Sequence, residues 1–153
     1  MKKLPPTEKV YEAWSALADG RVVMKADSAT VASSNRAKEY TVQWSGKSYS
    51  SNDNATYWQG YAGYPVIAVL MLQGLLPLDE NLAALFAGVN WTKANSAAKR
   101  DYAKAVEAVF AQLGLDDGQK TGARAEALKA HTALAALDIE ILRGTPRKRN
   151  ESS

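Results

Sequence analysis

The sequence predicts an α+β fold: an antiparallel β-hairpin or three-stranded meander packed on one face against about five helices, with an all-helical C-terminal half. Three observations predict it. Residues 39–51 alternate apolar and polar across a glycine turn, the period-2 signature of a half-buried hairpin. Residues 66–76 are apolar except for Gln73 and Gly74, about half a membrane span and suited to a buried core helix. Beyond residue 78, capping acids and stop glycines punctuate helical patterns.

The elements follow in order. Thr7 opens a helix over about 8–18, with Val10, Tyr11, Trp14 and Leu17 on one apolar face. Asp19-Gly20 stops it, and residues 21–26 read as a strand. Residues 27–36 are rich in Ser and Ala and fit a strand edge and a loop. Ser45-Gly46 then forms a two-residue hairpin turn. That turn pairs Val42 with Tyr49 and places Tyr40, Val42, Trp44 and Tyr49 on the covered face. Thr41, Gln43, Ser48 and Ser50 take the open face. Pro65 suits the first turn of the core helix over 65–76, which Pro77 ends. Asp79 caps a short helix that Gly88 stops. One long helix is expected over 92–113, then a last one over 119–142 that carries Leu134, Leu137 and Ile141 on one face.

The chain has 153 residues, 46% hydrophobic and 23% charged, the proportions of a globular chain with one core. The expected organisation is a domain over 1–143 and a basic, flexible tail over 144–153. The formal charge is +3. Residues 143–153 hold four basic residues and one acid, and the preceding 142 balance fifteen of each, so the whole excess lies at that end. Residues 1–10 have no apolar run after their lysines, so no signal peptide is predicted and the expected location is cytoplasmic, with no membrane partner.

Function classes narrow by subtraction. Cys is absent and His131 is the only histidine. Cys-based zinc sites, disulfides, thiol nucleophiles and multi-His metal sites are excluded. No metal and no cofactor are expected. Gly46-Lys47-Ser48 copies the end of a P-loop, but it lies in a β-turn with no helix behind it. His131 has no Ser or acid partner by motif. An enzyme is the least expected class, and a small intracellular binding module the most expected.

Two segments carry that reading. Residues 81–100 resemble the helix-turn-helix pattern: small Ala83, Ala84 and Ala87, the Gly88 turn, then a second helix. Lys93, Arg100 and Lys104 fall on one face of the expected second helix, suited to phosphates. With Arg147, Lys148 and Arg149 of the tail they form the predicted nucleic-acid-binding set. The alternative is a small-molecule or protein-interaction domain using the aromatic segment 57–64, with a protein partner or a second copy of the chain as the protein ligand. Seven of the thirteen aromatic residues fall between Tyr40 and Tyr64. Tyr57, Trp58, Tyr61 and Tyr64, interleaved with Asn52, Asp53 and Gln59, could stack a ring while the polar groups orient it.

Overall fold

The computed structural model describes residues 3–143. The chain runs α1 (Lys9–Ala18), β1 (Val22–Met24), β2 (Ser28–Ala32), β3 (Glu39–Ser45), β4 (Ser48–Ser51), a π-helical turn (Ala55–Gln59), α2 (Tyr64–Leu72), α3 (Glu80–Ala84), α4 (Trp91–Ala97), α5 (Tyr102–Leu113), α6 (Asp117–Ala136) and β5 (Glu140–Ile141). The fold is α+β as predicted, with a five-stranded sheet in the order β1-β2-β3-β4-β5. Strands β1 to β4 form an antiparallel meander, and β5 joins β4 in parallel. The C-terminal half is helical up to that last short strand.

The hairpin keeps its faces but slips its register by two residues. Trp44 pairs with Tyr49, Val42 with Ser51, and the turn is Gly46-Lys47. The cause is the turn chemistry. Gly46 has φ +59° and Lys47 has no positive φ, so the glycine takes the first central position, as a type II′ turn requires. A slip of two leaves each side chain on its original face. Val42 and Tyr49 are buried against the helical layer, Tyr40 and Trp44 are half-buried, and Thr41 is exposed. Ser50, expected on the open face, is buried.

Helix α2 is enclosed through Met71, but Leu72 and Leu75 are exposed and not in the core as the long apolar run predicts. Gly74 explains the early stop. With φ +79° it closes a Schellman motif, Leu75 N–H donating to the Leu70 carbonyl at 2.9 Å and Gly74 N–H to Met71 at 3.1 Å. Helix α1 is equally enclosed, buried from Lys9 to Ala16. Its Tyr11 and Trp14 rings meet Phe86 and Phe110 in an aromatic cluster with centroids 5.3–6.0 Å apart.

The helix expected over 92–113 is two helices. Lys99 and Arg100 both have left-handed backbone, φ +54° and +66°. Arg100 N–H reaches back to the Asn95 carbonyl at 2.8 Å, and Asp101 caps α5 by accepting from Lys104 N–H. The last helix also ends earlier than expected. Leu137 turns extended, and Glu140 and Leu142 N–H groups donate to Lys47 and Tyr49 carbonyls at 2.8 and 2.7 Å. Ile141 is therefore a strand residue and Leu137 a connector, while Leu134 alone of the predicted stripe is buried on α6.

Candidate functional site

A cleft of about 160 Å³ opens where six segments meet. Lys9 and Glu12 come from α1, Ser33 and Ser34 from the β2–β3 loop, and Tyr40 from β3. Asp53 to Ala55 lead into the π-helical turn, Tyr64 opens α2, and Trp91, Thr92 and Asn95 come from α4. The i, i+3 spacing of Lys9 and Glu12 puts both on one face of α1, opposite Trp14. Such a pair normally marks a solvated face. Here it is buried, because α4 and the segment after β4 cover it.

The cleft holds an ionic pair and one carboxylate that no cation among the described residues pairs. Lys9 Nζ lies 3.4 Å from Glu12 Oε2 and 4.2 Å from the centroid of the Tyr102 ring. Asn95 Nδ2 donates to the same Glu12 oxygen at 3.2 Å. Burial disfavours the Lys9 ammonium, but Glu12, Tyr102 and Tyr61 outweigh it and raise its pKa. Burial also raises the Glu12 carboxyl, against the pull of Lys9 and the Asn95 hydrogen bond. Burial raises the Tyr40 and Tyr64 hydroxyls, and both stay protonated at neutral pH.

Asp53 is 4% exposed. Its Oδ2 accepts Thr56 N–H at 3.1 Å, and its Oδ1 has no partner among the described residues. The Asn95 Oδ1 is likewise buried and unpartnered. Gly63 fixes this corner. A Cβ there would collide with Asp53 Oδ2 and crowd the Thr56 hydroxyl, which accepts Gly63 N–H at 3.0 Å. On the far wall, Trp91 Nε1 donates to Ser15 Oγ at 2.7 Å, and that hydroxyl donates to the Phe86 carbonyl at 2.7 Å. The indole is thus held by α1 and the turn after α3.

The predicted aromatic platform is divided by the fold. Asp53 and Tyr64 line the cleft. Tyr61 is buried beside Lys3, whose Nζ stands 5.7 Å from the ring centroid. Tyr57 and Trp58 are 41% and 64% exposed on the π-helical turn, edge to face at 4.7 Å. Gln59 accepts from Lys3 and Asn52 from Thr41 N–H, both away from the cleft wall.

The predicted basic set is also redistributed. Lys93 lies on α4, Arg100 in the left-handed break, and Lys104 in the first turn of α5. They do not share a helix face, but Lys93 and Lys104 border one groove of about 550 Å³. Arg147, Lys148 and Arg149 lie outside the described residues. His131 Nε2 is 2.7 Å from the Pro5 carbonyl, a structural contact between α6 and the N-terminal segment. Lys9, Glu12 and Asn95 carry no motif that sequence reasoning could have isolated.

Among the described residues no cluster of three or more acids or histidines could hold a metal ion, and no helix is long and apolar enough to cross a membrane. A larger groove of about 390 Å³ runs between α1, β1, α2 and α3, but among the described residues Glu80 is its only charged lining residue. The fold and cleft thus define an α+β protein with a buried ionic cleft between its helical layer and its sheet. Residues 2–140 match the family described as uncharacterised conserved protein UCP014422, and the chain belongs to that family. No curated protein and no solved structure matches the chain.

Proposed function

We propose that this protein is a small-molecule-binding domain whose site is the cleft between α1, α2 and α4. One observation carries the reading: Asp53 is a buried carboxylate on the cleft wall with an oxygen that no group among the described residues satisfies. An unpaired buried acceptor costs about 1–3 kcal/mol, more when it is charged. Such a group calls for a partner from outside the protein, a water, an ion or a ligand, and on a cleft wall a ligand can supply it. The cleft volume has room for about five waters at their liquid volume, so the ligand is small or inserts only one end. This keeps the aromatic-segment alternative of the sequence, centred now on Asp53 and Tyr64.

The test is a fragment screen by two-dimensional amide NMR on the full chain. Binders are expected to move the Trp91 indole and Thr56 amide resonances. They should leave those signals unmoved in Gly63→Ala, whose Cβ displaces Asp53. A broad polar library that moves neither reporter in the parent protein overturns the proposal.

Nucleic acid, the leading expectation from the sequence, becomes the second reading, supported by the exposure of Lys93, Arg100 and Lys104 and by the groove between the first and last of them. With α4 and α5 separate, the contacts available are to phosphates. Replacing all three with alanine is expected to flatten log K against log salt by about 2.7. Anisotropy of a labelled duplex across a salt series measures it, and equal slopes for the two proteins retire this reading.

A further inference from the structure

We propose that the cleft takes a small organic cation, a primary ammonium or guanidinium group received by Asp53 Oδ1 and Asn95 Oδ1. The inference rests on the cleft reading above and names its ligand class. Two acids and one base line the cleft, and the base is already committed, with Lys9 between Glu12 and the Tyr102 ring. Among the described residues no ion pair includes Asp53. Its one bonded oxygen takes a backbone N–H, which leaves its charge without a cation.

The unpartnered atoms agree in kind. Asn95 turns its amide nitrogen to Glu12, so the atom left over is an oxygen, and Asp53 likewise offers an oxygen. Both accept and neither donates, so the complementary group carries several N–H bonds. A carboxylate ligand would meet two acceptors and the excess negative charge. Tyr40 and Tyr64, edge to face 6.4 Å apart, complete the cleft wall with their rings. Arg21 interacts with the Tyr64 hydroxyl, but it does not line the cleft and its charge is paired with Asp19 at 3.2 Å.

The experiment titrates the full chain with n-propylammonium and methylguanidinium chlorides, matched against sodium propionate and propionamide at constant ionic strength. The readouts are the Trp91 indole and Thr56 amide resonances. The cations are expected to saturate these shifts at concentrations where propionate and propionamide cause none. Asp53→Asn should weaken the cations about tenfold or more, the scale of a charge-assisted hydrogen bond. Asn95→Ala should weaken them several-fold. If Asp53→Asn does not fold, the charge series on the parent and the Asn95 variant decide the matter. Binding of propionate or propionamide at least as tight as the cations overturns the cation class and leaves the cleft reading standing. The same holds if other fragments move the reporters and neither cation does. Silence from every fragment retires both.

Discussion

Lys9→Met is expected to destabilise the protein by about 3–5 kcal/mol at neutral pH, the cost of leaving one member of a buried ion pair alone. Both side chains are almost fully covered, at 9% and 5% exposure. Without Lys9, the Glu12 carboxylate keeps only the Asn95 amide. The double variant Lys9→Met with Glu12→Leu is expected to lose less than the single one, because it leaves no unpaired charge. The pH dependence has a definite sign. Burial already holds the Glu12 carboxyl above its ordinary value, and removing Lys9 raises it further. A carboxyl whose folded pKa exceeds its unfolded one contributes stability below the unfolded value, about 4.3, and loses it as pH rises through the folded one. The Lys9→Met penalty should therefore be small near pH 4 and grow toward neutrality. Urea unfolding across that range measures it, and a penalty that is flat with pH and below about 1 kcal/mol would show that the pair is solvated.

Much of the fold is legible because local rules and tertiary structure agree. The acids Asp79 and Asp116 cap their helices, and Asp116 with Gln119 completes a capping box. Val10, Tyr11 and Trp14 face the core as their spacing requires. The misread features have physical causes. The break between α4 and α5 contains no glycine: Lys99 and Arg100 take the left-handed conformation themselves, which costs about 1 kcal/mol or more per residue and leaves no compositional trace. The strand β5 did leave a trace, the alternation of Leu137, Ile139 and Ile141. Two paired residues are too few to outweigh the helical pattern before them. The ion pair of Lys47 with Asp138 and the bond from Ser48 to Glu140 then tie that strand to the hairpin.

The cleft was legible only in part. Asp53 and Tyr64 stood out through the aromatic segment around them. Lys9 and Glu12 did not, since their i, i+3 spacing is that of an ordinary solvated pair. Their burial is decided by α4, some eighty residues away, and no local pattern encodes that contact. The basic residues show the converse. Lys93, Arg100 and Lys104 share a stripe only if the helix is continuous, and the left-handed break removes that condition.

Trp14→Ala is the second large effect expected, at about 3–5 kcal/mol. The ring is fully buried at the centre of α1, 5.3 Å from Tyr11 and 5.5 Å from Phe86 between centroids. Its removal opens a void that neighbours in rigid elements fill poorly. Trp14→Phe is expected to cost less than half as much, because it keeps much of the ring packing and removes an indole N–H that has no partner. The effect should reach the cleft. Phe86 packs on Trp14, and its carbonyl accepts from Ser15, which in turn holds the Trp91 indole. In a Trp14→Ala protein that still folds, the Trp91 indole resonance should broaden or shift. Denaturant unfolding with the same NMR spectrum tests both halves. A loss below about 1 kcal/mol, the range of a surface substitution, would show that α1 does not centre the core. An unmoved Trp91 signal would show that the aromatic cluster and the cleft wall are mechanically independent.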